Sequence, residues 1–371
     1  MMGRSLLLGI VGVLLSGGLQ PRFLQAETGA EAWLRYAALN PQSTKKYQRL
    51  PATTVLLGDS VILNTAQQEL ILGVKGMLGL RLSASRGLPI DSAIVLGTLK
   101  ELRSAVPTLT PPREIREDGY WLTHRRVHGF ECVVVTATTE RGVLYGVFGL
   151  LSKIARNEDV IPLDEVQQPY AALRWVNQWD NLDGRIERGY AGGSIFFEGG
   201  NVQADLTRAG EYARLLASVG INGCTINNVN ADPRVLEDGF ISQVARVADV
   251  FRPWGVRLSL SVDLSTPKAL GDLDTFDPQD PRVAGWWRQK VDELYRKIPD
   301  LSGFVVKADS EGRLGPATYG RTPADAANVI ARALKSHQGV VLYRAFVYDH
   351  HLDWHNLKNC LLYTSPSPRD S

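Results

Sequence analysis

From residue 171 onward, short runs of apolar and β-branched residues alternate with longer stretches in which apolar residues recur every three or four positions. The short runs predict strands at Ala171–Trp179, Gly223–Asn228, Val256–Val262, Gly303–Ala308 and Val340–Phe346. The longer stretches predict helices at Ala204–Ser218, Arg234–Phe251, Pro281–Lys297 and Pro323–His337, with proline in the first turn of the last two and Thr322 as an N-cap. Regular strand–helix alternation of this kind is the pattern of parallel β/α units.

Polar residues gather at the C-terminal ends of these strands. Asn177, Trp179 and Asp180 end the first, Asn227 and Asn228 the second and Asp263 the third; Glu311 follows the fourth and Arg344 lies late in the fifth. Strand ends converging on one rim point to a TIM-type (β/α) barrel with a polar ligand site, and no Gly-rich phosphate fingerprint follows the first strand. An open doubly wound sheet is the alternative. A complete barrel takes about 250 residues, more than residues 171–359 supply. The expectation is thus an incomplete barrel of about five of the eight units, whose open edges and uncovered inner side chains a stable protein rarely tolerates.

Before residue 165 the pattern is that of a small α/β domain. Strands are expected at Thr54–Leu57, Ala93–Gly97, Gly119–Thr123 and Phe130–Ala137, and a helix at Arg141–Ile154. Ile161-Pro162-Leu163-Asp164 and Gln167-Gln168-Pro169 interrupt the periodicity, which divides the chain into an N-terminal domain at 27–165 and a barrel portion at 166–359. Residues 1–26 read as a signal peptide. Arg4 precedes an apolar run from Ser5 to Leu15 that is too short to span a bilayer, and cleavage is expected near Ala26. Export to the periplasm or the medium follows, with no membrane attachment after cleavage. Residues 360–371, Cys360 to Ser371, resemble the translation of a transposon-type sequencing adapter, so native sequence is expected to stop near Asn359.

Composition narrows the chemistry further. With 44% hydrophobic and 22% charged residues, a formal net charge of +2 and no long block of like charge, the chain is not built to track a phosphate backbone, and nucleic acid is not an expected partner. Cys132 and Cys224 each lie inside a strand-like run and read as buried free thiols. His124 and His128, and the group His350, His351 and His355, lack thiolate or carboxylate companions at ligand spacing, so no metal and no cofactor is expected.

The densest chemistry lies in Gly303-Phe304-Val305-Val306-Lys307-Ala308-Asp309-Ser310-Glu311-Gly312. Alternation along a strand places Lys307, Asp309 and Glu311 on one side and Val306 and Ala308 on the other. A cation and two acids on one face of an apolar strand are costly unless paired or used. Either this is an active site or a structural ion-pair cluster at a strand end. The Gly-rich turn from Glu311 to Pro316 suits a site-forming loop.

The run Gly303–Pro316, with Arg174-Trp175-Val176-Asn177-Gln178-Trp179-Asp180-Asn181 and Tyr343-Arg344-Ala345-Phe346-Val347-Tyr348, closely resembles the α-glucuronidases of glycoside hydrolase family 67. The similarity runs from about Tyr36 to Asn359, and Arg141–Phe148 resembles the helix shared by that family's N-terminal domain and its hexosaminidase-like relatives. The resemblance implies an exo-acting, inverting enzyme that removes glucuronic acid, or its 4-O-methyl ether, from the α-1,2 link to the terminal xylose of xylooligosaccharides. It makes Glu311 the general acid and gives Lys307 and Arg344 the substrate's polar groups and carboxylate. A guanidinium fork suits a uronate, and Lys307 adds a compact second charge. Trp179 is placed to stack on the sugar and Val229 to touch the methyl ether. Trp175 and Trp254 read as packing aromatics.

Asp309 is two residues from Glu311, about 6.6 Å along the same wall. An inverting acid and base need opposite faces of the sugar ring and about 6.5–9.5 Å between carboxyls. Asp309 is therefore expected to pair with Lys307 or Arg344 and to help set the acid's pKa. In the family the general base is a pair of carboxylates from later strands, and this chain has no counterpart to them. The resemblance thus implies a fragment that binds weakly and hydrolyses negligibly, its missing C-terminal helical region being where a homodimer contact is expected. Two other readings stay open: a non-catalytic carbohydrate-binding protein, and a hexosaminidase-like barrel hydrolase using substrate assistance.

Overall fold

The computed structural model of the chain describes residues 33–228, 231–309 and 313–344, and from Arg35 onward these form one compact unit. The first half opens with a short helix α1 (Pro41–Lys45), strand β1 (Thr53–Leu56) and helix α2 (Val61–Leu78). Helix α2 has a serine N-cap, Ser60, whose hydroxyl accepts from Leu63 N–H at 3.2 Å. Its residues Leu63, Ala66, Leu70, Val74 and Met77 recur at helical spacing and are all buried, and Gly79 in the left-handed conformation ends it. No helix was expected here, although the cap, the spacing and the terminal glycine were all present in the sequence.

Strands β2 (Ser83–Arg86) and β3 (Ile94–Thr98), helix α3 (Leu99–Ala105), strands β4 (Tyr120–Val127) and β5 (Phe130–Ala137), helix α4 (Glu140–Ala155) and strand β6 (Asp164–Gln167) complete this half. The sheet order is β2-β1-β3-β5-β4-β6, parallel from β2 to β5, with β4 antiparallel to both neighbours. One face buries Val55, Val95, Leu102, Trp121 and Val134 in a single cluster. The segment where the sequence pattern breaks contains β6, a four-residue edge strand on β4.

The second half begins with β7 (Trp175–Asn177), shorter than the expected strand, so that Trp179 lies in the loop beyond it. A small hairpin, β8 (Phe197–Glu198) and β9 (Asn201–Val202), leads into α5 (Thr207–Ser218) and β10 (Gly223–Ile226). Then follow α6 (Asp238–Phe251), β11 (Arg257–Asp263), the short α7 (Thr266–Leu270), α8 (Pro281–Lys297), β12 (Gly303–Lys307), α9 (Pro323–Leu334) and β13 (Val340–Tyr343). The helix expected from Arg234 starts as a 3₁₀ turn at Pro233–Leu236 and becomes α-helical only after Glu237, whose extended ψ of 141° breaks it. Helix α9 opens with a capping box between Thr322 and Asp325.

The five strands lie in the order β7-β10-β11-β12-β13, every pair parallel. Strand order follows chain order without reversal. A doubly wound sheet reverses at a switch point, whereas a barrel advances in one direction. The architecture is therefore mixed α/β, a small N-terminal domain followed by a TIM-type half-barrel. Both cysteines described, Cys132 and Cys224, are free and buried. Among the described residues no helix is long and apolar enough to cross a membrane.

The two halves are joined through a buried carboxylate. Asp118, before β4, accepts from Arg141 Nε at 2.6 Å, Arg174 Nη2 at 2.8 Å and Asn222 Nδ2 at 3.0 Å. Arg141 belongs to α4, Arg174 precedes β7 and Asn222 precedes β10. A second link pairs Glu69 on α2 with Arg214 on α5 at 2.8 Å, and Tyr36 donates its hydroxyl to the same carboxylate. Burial alone would lift the pKa of Asp118, but the hydrogen bonds and charges from Arg141, with Asn222 and Arg174, outweigh it and hold the carboxyl below its ordinary value. Its contribution to stability is accordingly complete above the unfolded pKa of about 3.9 and is lost as pH falls through the lower folded value. Replacing Asp118 by Ala removes the carboxylate partner of Arg174 and leaves Arg141 with only Glu117, at 3.3 Å, and is expected to cost about 3–5 kcal/mol at pH 7, read as a lowered urea midpoint. Asp118→Asn is expected to flatten the acid limb of the stability–pH curve; a variant with the wild-type limb would show that the carboxylate is not the linked group.

Candidate functional site

In a parallel sheet, residues paired across strands point to the same side. The register aligns Asn177 with Thr225, Thr225 with Ser259, Asp263 with Lys307, and Val305 with Leu342. Period-two alternation then assigns Trp175, Asn177, Thr225, Ser259, Ser261, Asp263 and Lys307 to one face, which continues in phase to Trp179, Asn227 and Arg344 beyond the strand ends. The opposite face carries Val176, Cys224, Ile226, Leu260, Val262, Phe304 and Val306. Helices cover the apolar face, so the small and polar one is the inside of the half-barrel.

At the base of that inner face Trp175 packs flat over β10. A Cβ on Gly223 would lie 2.4 Å from the indole ring, so this tryptophan fills the interior and is remote from the rim. At the rim, Lys307 is fully buried at the end of β12 and lies beside Asp263 at the end of β11. Asp263 is 0% exposed; its Oδ1 accepts from Ser265 N–H at 2.8 Å and Ser265 Oγ at 2.6 Å, while Oδ2 faces Arg313 Nη1 at 3.6 Å. Arg344 follows β13, its own N–H donating to Val306 O at 3.2 Å, and its Nη1 has no hydrogen-bond partner among the described residues.

Asp309, two residues beyond β12, lies in the left-handed region at φ 46°. That turn directs its carboxylate toward the returning loop, where Oδ2 accepts from Ala317 N–H at 3.3 Å. Gly315 crosses directly over it: a Cβ there would lie 2.2 Å from the Asp309 Cγ, so only glycine fits. The Lys307 charge acts on Asp263, while Asp309 turns toward the loop and raises the pKa of Tyr343, which burial lifts first. Glu311 and Val229, the residues expected to serve as acid and methyl-ether contact, lie outside the described residues.

Trp179 is 38% exposed in the loop after β7. The loop is held to the neighbouring strand end by Asn181, whose Oδ1 accepts from Asn228 Nδ2 and whose Nδ2 donates to Glu187 O at 2.6 Å; Glu187 N–H in turn donates to Trp179 O at 2.8 Å. Asn228 adopts φ 46° and Asn227 φ 77°, conformations that asparagine tolerates better than most residues. Asn227 bridges to Asp232 O and Ser261 O, both at 3.0 Å. Sequence reasoning passed over Asn181 and Arg313 and gave Asp263 no role. The Asp263-Leu264-Ser265 spacing, an Asx turn, was the signal available for the latter.

The rim is electrostatically distinct. Burial pushes the pKa of Asp180, Asp263 and Asp309 upward, opposed at Asp180 by Ser194, Ile195 N–H and Gln178, and at Asp263 by Ser265, Arg313 and Lys307. Surface carboxylates such as Asp277 and Asp280 go the other way, held down by the hydrogen bonds of Arg321 and Arg282. Perturbed acids collected with cations at barrel strand ends make this rim the candidate functional site. Arg344 and Lys307 suit it to an anionic, hydroxyl-rich ligand.

The model of the glycosyl hydrolase family 67 N-terminus matches residues 32–150, and that of the family's middle domain matches residues 153–361. An alpha-glucuronidase A of Emericella nidulans is 46% identical over 344 residues, covering 89% of this chain and 40% of the relative. An alpha-glucuronidase of Hypocrea jecorina is 45% identical over 366 residues, covering 95% of this chain and 42% of the relative. The chain thus spans about two-fifths of the length of the curated relatives it matches. Among solved structures, that of CpGH84D superposes with a TM-score of 0.50 at 11% identity, over 79% of this chain and 47% of the other, which is a likeness of fold. On the extent of these two matched domains, the chain belongs to glycosyl hydrolase family 67.

Proposed function

We propose that this chain is part of an exported, inverting α-glucuronidase that removes α-1,2-linked glucuronic acid, or its 4-O-methyl ether, from xylooligosaccharides. The observation that carries this reading is the placing of Lys307 and Arg344 on the inner face of a half-barrel rim, in a family whose relatives are named alpha-glucuronidases. A site of that polarity is suited to a uronate. In this reading the Arg344 fork takes the carboxylate, Lys307 takes a neighbouring sugar oxygen, Trp179 stacks on the ring and Val229 touches the methyl ether.

Inversion requires two proton movements. Glu311 donates a proton to the leaving xylose oxygen as the glycosidic bond breaks, while water, deprotonated by a base on the opposite face, attacks the anomeric carbon. Asp309 holds the returning segment at Ala317, whose N–H donates to it at 3.3 Å. In this reading the base is a carboxylate on the face of the sugar ring opposite Glu311.

The reading is tested by sequencing the locus from source DNA beyond Asn359 and assaying the product of the complete frame on aldouronic oligosaccharides. Release of glucuronic acid as the β-anomer is expected, and a complete product that releases none would sink the proposal. Glu311→Gln is expected to lower kcat by about 10²–10⁴-fold. Arg344→Lys keeps the charge but loses the bidentate fork, and kcat/KM for the uronide is expected to fall about tenfold or more. A site of the hexosaminidase-like kind, reading an acetamido group, would scarcely register that change.

A further inference from the structure

Arg313 belongs to the loop that returns over the end of β12, and its surroundings differ from those of Arg282, Arg234 and Arg321. Arg282, Arg234 and Arg321 each spend a guanidinium edge on a neighbouring acid, through Nε and Nη2 at 2.8–3.3 Å to Asp280, Asp232 and Asp277. Arg313 meets Asp263 with a single nitrogen at 3.6 Å, an ion pair too long to be a hydrogen bond. No hydrogen bond of its guanidinium to another described residue accompanies that contact, and its side chain is 37% exposed.

The partner is built to steer rather than to saturate. Asp263 is fully buried, and Ser265 fixes its Oδ1 through two hydrogen bonds, which leaves Oδ2 directed at Arg313. The loop itself is pinned by Asp309 to Ala317 and by the close passage of Gly315. Asp263 also lies beside Lys307 on the inner face, and Arg313 and Lys307 both oppose the upward push of burial on its carboxyl. A guanidinium with most of its donors open, held by one long ion pair at the strand-end rim, is suited to a carboxylate.

We infer that Arg313, steered by Asp263, is a further specificity-determining residue of the sugar site, its open guanidinium edge taking the carboxylate of a uronic acid alongside Arg344. The inference rests on the uronide reading above. It is tested with the product of the complete frame, on a glucuronosyl xylooligosaccharide and on the carboxamide analogue, which has the same shape and no charge. Arg313→Gln is expected to raise KM for the uronide about tenfold with kcat nearly unchanged, and to leave kcat/KM for the carboxamide as it was.

Asp263→Asn separates steering from charge. Loss of a negative charge alone predicts tighter uronate binding, whereas loss of steering predicts a KM about threefold higher, the result expected here. An unchanged uronide KM in Arg313→Gln, or an equal loss on both substrates, overturns the inference while leaving the uronide reading intact. A wild-type enzyme that acts on neither substrate removes both. Should Asp263→Asn fail to fold, Arg313→Gln decides by itself, since the Arg313 side chain is 37% exposed in a loop.

Discussion

The buried carboxylate of Asp118 is the constraint on which the arrangement of the two halves depends. Taking one carboxylate and two guanidinium groups out of water costs several kcal/mol per ion, and only full hydrogen bonding offsets that. Here three donors from three separate segments converge within 3.0 Å on its two oxygens. Arg141 anchors the N-terminal domain through α4, while Arg174 and Asn222 stand immediately before β7 and β10. Asn222 also accepts from Arg174 N–H at 3.0 Å and donates to Ala172 O at 2.7 Å, so the entry points of two barrel strands are set from one charge. Their ends, where Trp179 and Asn228 lie, inherit that alignment.

Much of this was readable in advance, and what escaped did so for identifiable reasons. Helix α8 and strand β5 match their expected limits residue for residue, because Asp280-Pro281 and the flanks of Phe130–Ala137 give sharp local signals. The first barrel strand was read too long: the backbone N–H of Arg174 donates to the Asn222 side chain at 3.0 Å rather than to a strand, and ladder pairing begins only at Trp175. Among the site residues, Lys307 and Arg344 follow from alternation along their strands. The direction of Asp309 does not, because a positive φ at a non-glycine residue turns the side chain out of the alternating pattern. The Asp263–Arg313 pair joins residues fifty positions apart, and no local periodicity reports a contact of that span.

The inner face of the half-barrel departs from the rule that buried polar groups are satisfied. Thr225 Oγ1, Asn227 Oδ1, Ser261 Oγ, Asp263 Oδ2 and Arg344 Nη1 are buried without hydrogen-bond partners among the described residues, and all lie in phase on that one face. A sheet whose covered side is built from Ile226, Leu260, Val262 and Phe304 has ample apolar surface to stabilise it. Polar capacity on the other side is a cost to folding, of the kind that proteins retain where ligands are handled.

That cost bears on catalysis through the acids. A carboxyl that must donate a proton near neutral pH needs its pKa raised, and desolvation is the means by which proteins raise it. At this rim desolvation is the first cause acting on Asp180, Asp263 and Asp309 alike, with cations and backbone N–H groups working against it. The balance is local. Lys307 and Arg313 restrain Asp263, whereas Asp309 has only the Ala317 N–H against burial and so is the less restrained of the two. A fixed acidic group on the rim also raises the pKa of its neighbours, as Asp309 does for Tyr343. In the reading proposed above, Arg344, one strand away from β12, takes the anionic group of the ligand while burial keeps the pKa of Asp309 raised.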